Sequence, residues 1–239
     1  MNGWSPATID AAGERLREWW ASGRMTDVVI REDLELLNLF RRDPSGALNA
    51  SAMGLRSAAR TRGISPAAVT QRTKQVNTIV HKLHRHRDLT LSTMIDVLGC
   101  RIVVPQLDDA YAVLDQFRSS SRRQIDCEFD YVASARRTGY RASHLHTRSH
   151  DRLVEVQIRT TRQQAWADES ERLQAPYGDI LRDGGGPSEI TDYLAAVGSV
   201  LAAEDRGEDP GQQRLERLAV ASAALKNAPS VHRGVSLSW

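Results

Sequence analysis

The chain has 239 residues, a net charge of +2 and 41% hydrophobic residues, a composition typical of a globular protein. Its apolar runs are too short to cross a bilayer, and no basic, apolar leader opens the sequence, so we expect a cytoplasmic protein without membrane contact. Cys100 and Cys127 are the only cysteines, which excludes a disulfide framework and a paired-cysteine zinc site.

The charged residues are unevenly distributed along the chain. Clustered cations favour a polyanionic ligand, either a nucleotide or an RNA. Acidic residues favour the segments 26–35 and 168–209. The basic clusters lie at residues 72–87, 118–123, 136–141 and 159–162.

Helical patterns dominate the first third of the chain. A serine followed by a proline, a capped helix start, predicts a helix over residues 5–20. Apolar periodicity predicts further helices over 31–41 and 47–60. The same serine–proline signal recurs and predicts a long helix over residues 65–86.

The middle of the chain changes to the period of strands. We expect a helix over 107–120, capped by Asp108, and a turn at His150-Asp151. The predicted strands cover residues 100–104, 124–132, 143–149 and 153–160. After residue 161 the pattern is helical, with a flexible break at 184–187 and helices over 188–203 and 211–226. These elements predict a helical extension (1–64), a mixed α/β core (65–183) and C-terminal helices with a tail (184–239).

Two short segments place a carboxylate in or beside a predicted strand. In a strand, Glu155, Gln157 and Arg159 share one face, opposite three aliphatic residues. An ordinary half-buried strand with a solvated polar face explains this alternation by itself. Asp96 precedes a buried strand that carries Arg101. A carboxylate at the edge of a core is a magnesium ligand or, equally, a turn cap paired with that arginine.

Two further segments are cationic. Lys74, Thr78 and Lys82, with Arg85 beyond them, share one stripe of the predicted 65–86 helix; they suit a triphosphate or form a solvated basic face. Arg72 falls on the apolar side of that helix and fits neither explanation. Between two strands, a loop carries Arg136, Gly139 and Tyr140 and leads to His144. Its tyrosine can stack on a nucleobase or simply anchor the loop in the core.

Over residues 72–177 these four segments, in this order, resemble the synthetase domain of the RelA/SpoT alarmone family. The resemblance implies an α/β (α+β) fold with a nucleotidyltransferase-like mixed sheet flanked by helices, and a Mg²⁺-dependent pyrophosphokinase. No histidine precedes residue 65, so we expect a synthetase-only member without a hydrolase domain. The matching positions are Arg72/Lys74/Thr78, Asp96/Gly99/Arg101, Asp130/Tyr131 with Gly139/Tyr140/His144, and Glu155/Gln157/Arg159/Thr160 with Trp166-Ala167.

The resemblance also implies a role for each of these residues. Asp96 and Glu155 would hold Mg²⁺, and Glu155 would also take the proton of the acceptor 3′-hydroxyl. The ATP-binding set is Arg72 and Arg101 around the adenine, with Lys74, Thr78, Lys82 and Arg85 at the phosphates. The acceptor-binding set is Tyr140 under the base, with Arg136, His144, Gln157 and Arg159.

Four departures from the family pattern all concern the acceptor side or the helix behind it. Ala135-Arg136 replaces proline-lysine, Ala142 replaces serine, Gln163 replaces methionine, and no glutamate-histidine pair clearly follows Trp166-Ala167. The leading acceptor is GTP or GDP. The alternative is the 3′-CCA end of tRNA, modified by a toxin that a partner antitoxin controls. A third hypothesis is an inactive nucleotide- or RNA-binding module, but it leaves the pair of carboxylates, Asp96 and Glu155, without a role.

The helices at the two ends of the chain have no role assigned by the motifs. Those after residue 186 can serve self-association into a homo-oligomer, contact with an antitoxin, or coverage of the core. The sequence leaves these alternatives open.

Overall fold

A computed structural model describes residues 5–22, 30–42, 46–120, 124–175, 177 and 187–228. The strands are β1 (Ala68–Thr73), β2 (Leu98–Val104), β3 (Gln124–Asp130), β4 (Ser143–Ser149) and β5 (Arg152–Thr160). The helices are α1 (Pro6–Ser22), α2 (Arg31–Arg41), α3 (Ala47–Thr61), α4 (Val76–Arg85), α5 (Leu107–Ser120), α6 (Thr161–Gln174), α7 (Ser188–Asp205) and α8 (Gly211–Asn227). A 3₁₀ turn (Ile95–Val97) precedes β2.

Most of the predicted elements are confirmed. The helix start at the N-terminus is real, since the Thr8 amide donates to Ser5 Oγ at 3.2 Å. The helices predicted over 31–41, 47–60, 107–120, 188–203 and 211–226 and the four predicted strands are present within a few residues. His150 and Asp151 form the β4–β5 turn with φ of 49° and 58°. The predicted break at 184–187 lies outside the described residues except for Pro187.

The long helix predicted over residues 65–86 is wrong. Its first part is the edge strand β1, and only α4 is helical. Val69, Thr70 and Thr73 are β-branched, and the strand pairs antiparallel with β2, from Ala68 opposite Val103 to Thr73 opposite Leu98. Pairing with a distant strand outweighed the local helix signal. Arg72 therefore lies on a strand, which explains why it did not fit the helical wheel.

The prediction that Asp108 caps the N-terminus of α5 is also wrong. Asp108 lies inside the helix, and the Gln106 amide donates instead to Asp109 Oδ2 at 3.2 Å. Both aspartates lie in the first turn, where a carboxylate interacts favourably with the helix dipole. Sequence spacing therefore located the helix start to within one residue.

The sheet has the strand order β1-β2-β5-β4-β3. The β2–β5 pair is parallel, and the other three neighbouring pairs are antiparallel. The last strand in sequence, β5, is thus inserted at the centre. This mixed sheet flanked by helices confirms the predicted fold class.

The main core unites the sheet with the N-terminal helices. Buried side chains from α1, α3 and α5, such as Ile9, Leu55 and Phe117, pack in the same cluster as Ile102 and Val156 of the sheet. Residues 1–64 were predicted as an extension; their described helices share the core of the predicted central region.

A second, smaller cluster joins the C-terminal helices to α6. Trp166 packs with Ile190 and Leu194 of α7, and Leu225 of α8 lies against the same cluster. In the described part of the chain, no helix combines the length and apolar character that a bilayer span requires.

Candidate active site

Strand register aligns the sequence-selected residues across one face of the sheet. Directly opposed residues on neighbouring strands point to the same face. One row across β1, β2, β5, β4 and β3 is Arg72, Gly99, Glu155, His146 and Cys127. The row beside it is Thr70, Arg101, Gln157, His144 and Phe129. Predicted ATP-binding residues therefore lie at the β1 side, Glu155 at the centre and predicted acceptor-binding residues towards β3.

The donor side is a cationic cleft between β1, β2 and β5. Arg72, Gly99, Arg101 and Gln157 line it. A side chain on Gly99 would lie 3.7 Å from Arg72 Cγ, so the arginine rests directly over this glycine. Burial lowers the pKa of Arg101, and the charges of Arg159 and Arg72 lower it further. Three guanidinium groups are thus crowded together, an arrangement that an anionic ligand stabilises.

Two lysines converge on Asp96 beside this cleft. Lys74 Nζ and Lys82 Nζ lie 3.0 Å and 2.9 Å from the same oxygen, Asp96 Oδ2. Burial raises the pKa of Asp96, but the charges and hydrogen bonds of the two lysines outweigh it and lower the pKa overall. The other oxygen, Oδ1, is buried and has no hydrogen-bond partner. Asp96 is therefore a fixed carboxylate with one oxygen left for a ligand.

The single cationic stripe predicted on one helix is wrong. Lys74 lies in the connection between β1 and α4, whereas Thr78, Lys82 and Arg85 lie on α4. The helix does bury Ile79, Val80 and Leu83, the apolar side that the sequence predicted. The Thr78 hydroxyl lies 3.4 Å from its neighbour Asn77 Oδ1, and Arg85 is half-buried. A phosphate-binding role for Thr78 and Arg85 stays a prediction.

Glu155 is held by polar groups at the centre of the sheet. His144 Nδ1 lies 3.1 Å from Oε1, and the Gln157 amide donates to Oε2 at 2.8 Å. Burial raises the pKa of Glu155, but these two contacts and the charge of Arg72 outweigh it and lower the pKa to about 2. The carboxylate is therefore ionised at neutral pH.

A directed chain of hydrogen bonds connects the acceptor side to this carboxylate. Arg159 Nη2 donates to the Tyr140 hydroxyl at 2.9 Å, and that oxygen lies 2.5 Å from His144 Nε2. If the hydroxyl donates to Nε2, the histidine hydrogen is on Nδ1 and is donated to Glu155. Four of the predicted residues thus form one connected network.

The ring and hydroxyl of Tyr140 are already in contact with other side chains, so the ring is not freely available for base stacking. Its ring makes edge contacts with His144 and Trp166, with centroids 5.7 Å and 5.6 Å apart. Burial raises its pKa, and its hydroxyl is fully engaged. Base stacking by Tyr140 stays a prediction, and it requires a change in these contacts.

A second aromatic surface lies beside it. Phe129 and Tyr131 stack with centroids 5.9 Å apart and planes at 5°, and Phe129 is 38% exposed. The guanidinium carbon of Arg136 lies 4.4 Å from the Tyr131 ring centroid, and Arg136 Nη2 donates to the Tyr131 hydroxyl at 2.8 Å. Arg136, which is predicted to bind the acceptor, therefore lies over the stacked rings of Tyr131 and Phe129.

Helix α7 closes against the acceptor loop, residues 131–142. A side chain on Gly198 would lie 2.7 Å from the Gly139 carbonyl oxygen, so the two backbones touch. Gly139 itself has φ of 85°, which favours glycine. Trp166 Nε1 donates to the Leu194 carbonyl at 2.8 Å and fixes α7 to α6. The sequence motifs did not indicate this contact.

The carboxylate oxygens of Asp96 and Glu155 are suitable ligands for a divalent cation. Burial lowers the pKa of His146, while the charges of Glu155 and Asp96 raise it, so both carboxylates lie near this imidazole. Asp96 Oδ1 lacks a partner, and two carboxylates with remaining water positions suit Mg²⁺. Within the described ranges, no three-residue group of His, Cys, Asp or Glu is arranged around a metal position.

The register adds three residues that sequence reasoning missed. His146, Cys127 and Phe129 lie on the same face as Glu155 and His144. Alternation could have identified His146, which is two residues after His144 in a predicted strand. Cys127 and Phe129 needed the β3–β4 register, which includes a shift between Ile125 and Cys127.

Known proteins resemble this part of the chain. The family profile described as a region found in RelA / SpoT proteins matches residues 71–178, which contain every member of the two rows except Thr70. Residues 71–178 are therefore a RelA/SpoT-like region. The GTP pyrophosphokinase of Escherichia coli is 28% identical to this chain over 159 residues, which cover 66% of this chain and 21% of that protein. The chain thus spans about a fifth of that relative.

Solved structures of a small alarmone synthetase and of a GTP pyrophosphokinase family protein share the fold. The small alarmone synthetase 1 of Bacillus subtilis, bound to its product pppGpp, is 25% identical, with a TM-score of 0.53 over 65% of this chain and 83% of that one. A GTP pyrophosphokinase family protein of Streptococcus pneumoniae has 24% identity and a TM-score of 0.58, over 81% and 98%. The small alarmone synthetase fold accommodates most of the described chain.

Proposed function

We propose that the chain is a pyrophosphokinase that moves the β,γ-diphosphate of ATP to the 3′-hydroxyl of GTP or GDP and releases AMP. The observation that carries this proposal is the row across the sheet: a crowded cationic cleft, then an ionised glutamate, then the hydrogen-bonded acceptor residues. The product-bound synthetase of similar fold supports a guanine-nucleotide acceptor.

In this reaction the acceptor 3′-oxygen forms a bond to the β-phosphorus, and the bond from that phosphorus to the α,β-bridging oxygen breaks. Arg72 and Arg101 hold the adenine, while Lys74 and Lys82 balance negative charge beside Asp96. Glu155, as a weak base, orients the hydroxyl by accepting its hydrogen bond and takes the proton as the new bond forms.

Asp96 and Glu155 are also the residues that would hold Mg²⁺. When bound, the ion supplies charge neutralisation and polarisation of the transferred phosphoryl group. The low pKa of both carboxylates keeps them ionised for this purpose. The two lysines bind only one oxygen of Asp96 and leave the other available.

A second acceptor is favoured by the aromatic stack. Phe129 is exposed beside the acceptor loop and stacks on Tyr131 under Arg136, an arrangement that suits a further base of a single-stranded RNA end. This favours the tRNA 3′ end as the alternative acceptor, in a toxin controlled by an antitoxin. Of the three arginines in the basic cluster 118–123, Arg118 is the one within the described residues.

The test is a transfer assay with ATP labelled in its terminal phosphates and Mg²⁺. GTP, GDP and deacylated tRNA are offered in separate reactions, and the labelled product is separated from ATP. Label on GTP or GDP supports the proposal, and label on tRNA alone supports the alternative. Absence of transfer to all three, with ATP binding retained, would identify a binding module.

A further inference from the structure

No motif assigns a role to His146, although this residue lies on the face of the sheet that carries the proposed site. It is directly opposite Glu155, in the row that runs from Arg72 to Cys127. Directly opposed side chains of antiparallel strands have Cβ atoms about 5 Å apart. His146 therefore lies immediately beside Glu155, on the side of the predicted acceptor-binding residues.

The two other polar neighbours of Glu155 on that side are already engaged with its carboxylate. His144 Nδ1 lies 3.1 Å from Oε1, and the Gln157 amide donates to Oε2 at 2.8 Å. The second ring nitrogen of His144 lies 2.5 Å from the Tyr140 hydroxyl. His144 and Gln157 would therefore have to give up a contact before they could bind a substrate group beside Glu155.

The imidazole of His146 is packed in place, but its nitrogens are not engaged. Its ring lies against the ring of Phe129, with centroids 5.0 Å apart and planes at 58°. In the part of the chain that the structure describes, neither ring nitrogen of His146 has a hydrogen-bond partner, and the side chain is half-buried. Nor does His146 form a three-ligand metal group with Asp96 and Glu155 among those residues. Its nitrogens are thus available to a substrate.

The charge state of His146 indicates which kind of group it can bind. Burial lowers the pKa of His146, and the charge of Glu155 opposes this only in part. The imidazole is therefore neutral at neutral pH, with one N–H donor and one nitrogen acceptor. A hydroxyl group can likewise donate and accept one hydrogen bond. His146 is therefore better suited to a hydroxyl than to a phosphate or a carboxylate.

The reacting ribose carries such a hydroxyl next to the 3′-hydroxyl. In the proposed function Glu155 accepts a hydrogen bond from the 3′-hydroxyl, and the 2′-hydroxyl is on the neighbouring carbon, on the same side of the sugar ring. The other neighbour of Glu155 in the row is Gly99, which has no side chain and lines the cleft proposed for ATP. His146 is therefore the neighbour in this row that can bind the 2′-hydroxyl.

We propose that His146 binds the 2′-hydroxyl of the acceptor ribose and so makes the protein select ribonucleotide acceptors over 2′-deoxyribonucleotides. The inference rests on the proposed function, because it requires the 3′-hydroxyl to lie at Glu155. It holds for either acceptor, since GTP, GDP and the 3′-terminal adenosine of tRNA all carry neighbouring 2′- and 3′-hydroxyls.

The test compares each acceptor with its 2′-deoxy counterpart in the transfer assay. The counterparts are 2′-deoxy-GTP, 2′-deoxy-GDP and a tRNA that ends in 2′-deoxyadenosine, and all of them keep the 3′-hydroxyl. Because one hydrogen bond is lost in a partly enclosed site, we expect the wild type to have a kcat/KM about tenfold lower for the 2′-deoxy acceptor. Equal use of the two forms by the wild type would overturn the proposal.

Substitutions assign this preference to His146. His146→Phe keeps a ring against Phe129 and removes both nitrogens, and His146→Leu replaces it should that variant not fold. We expect a kcat/KM about tenfold lower for the ribose acceptor and changed less than about twofold for the 2′-deoxy form, so that the two become equal. His146→Asn keeps a donor and an acceptor and should recover part of the preference. Equal losses with both forms would overturn the proposal.

Arg148→Leu is the matched control, because Arg148 is exposed on the same face of β4, two residues further along, and pairs with Asp126 at 3.1 Å. It should keep the wild-type ratio between the two forms of the acceptor. Loss of the preference in Arg148→Leu as well would show a general disturbance of β4 and would overturn the assignment to His146.

Binding separates this proposal from the proposed function. Calorimetry of GTP and 2′-deoxy-GTP with the wild type and with His146→Phe needs no transfer, and it should show the same preference of about tenfold and its loss. Transfer without a ribose preference would refute the role of His146 and leave the pyrophosphokinase standing. A ribose preference in binding that His146→Phe abolishes, without transfer to any acceptor, would do the reverse. Neither binding nor transfer would overturn both.

Discussion

The ATP-binding half and the acceptor-binding half of the proposed site differ in how many of their polar groups are already bonded within the protein. On the donor half, Arg72 is exposed, Arg101 is crowded by other cations and Asp96 keeps an oxygen without a partner. On the acceptor half, Tyr140 and His144 are hydrogen-bonded to each other and enclosed. Under the proposed function, ATP would bind to groups already in place, whereas an acceptor would have to replace contacts within the protein by its own.

This difference suggests where specificity originates. The four departures from the family pattern fall on the acceptor half or behind it, where α7 packs against the loop. We therefore propose that acceptor choice depends on packing by the C-terminal helices as well as on contacting side chains. The following changes test that division, from the largest expected effect to the smallest.

Glu155 lies where the two halves meet, and its substitution should have the largest effect. We expect Glu155→Gln to lower kcat at least about a thousandfold, since several kcal/mol of transition-state stabilisation depend on the charge. ATP affinity, measured by calorimetry, should change less than about threefold. Glu128→Gln, on the opposite face of β3, is the control. A Glu155→Gln enzyme that keeps most of its turnover would remove Glu155 from the proposed role.

The low pKa of Glu155 also predicts a pH-dependent stability. Because folding lowers the pKa from 4.5 to about 2, the contribution is complete above pH 4.5 and is lost as the pH falls towards 2. It amounts to about 3 kcal/mol. Denaturant unfolding of the wild type and Glu155→Gln at several pH values measures it. Parallel pH curves for the two proteins would refute the low pKa.

On the donor half, Lys82→Met should mainly affect ATP. In the proposed function Lys82 also contacts the ATP phosphates, and losing one hydrogen bond to a charged group costs about 2–3 kcal/mol, so kcat/KM for ATP should fall about fiftyfold. Lys82→Arg restores the charge and should recover much of this loss. An equal loss of acceptor affinity would show that the two halves are not separable.

On the acceptor half, Tyr140→Ala should raise the acceptor KM about thirtyfold, the value of one base-stacking contact. The KM for ATP should stay nearly constant. Tyr140→Phe keeps the ring and removes the hydroxyl between Arg159 and His144, so it separates stacking from hydrogen bonding. Equal rises in both KM values for Tyr140→Ala would indicate a folding defect instead.

The smallest of these effects should follow from the contact between α7 and the loop. Gly198→Ala places a methyl group 2.7 Å from the Gly139 oxygen and should cost about 1–3 kcal/mol of stability. The acceptor KM should rise about tenfold, and the KM for ATP should not.

Gly13→Ala is the matched control for this change, because its methyl group would lie 2.9 Å from Leu91 Cβ, away from the acceptor loop. It should reduce the Tm without changing either KM. If both variants alter acceptor use equally, general destabilisation is responsible and α7 has no specific role.

Sequence reasoning succeeded where the determining interactions are local. Helix starts such as residues 5–6, the β4–β5 turn and the alternation at Glu155, Gln157 and Arg159 all follow from neighbouring residues. It failed at β1, where a helix-start signal was outweighed by pairing with β2, about thirty residues away. No local pattern reveals such a pairing.

The same limit applies to the candidate site. The motifs selected Lys74, Lys82 and Asp96, but not that both lysines bind one oxygen. They named Tyr140 without showing that α6 and α7 enclose it. Contacts between elements distant in sequence decide the protonation, burial and accessibility of residues that local patterns can only nominate.

The central position of β5 has a consequence for synthesis of the protein. This strand is the last of the five to leave the ribosome, yet it separates β2 from β4 and carries Glu155. Until it is inserted, the proposed pairing of Asp96 with Glu155 cannot form, and a nascent chain that ends before residue 155 lacks the second carboxylate altogether. Long-range parallel pairing of this kind is slow to form, and ATP turnover should therefore begin only after the whole sheet has closed.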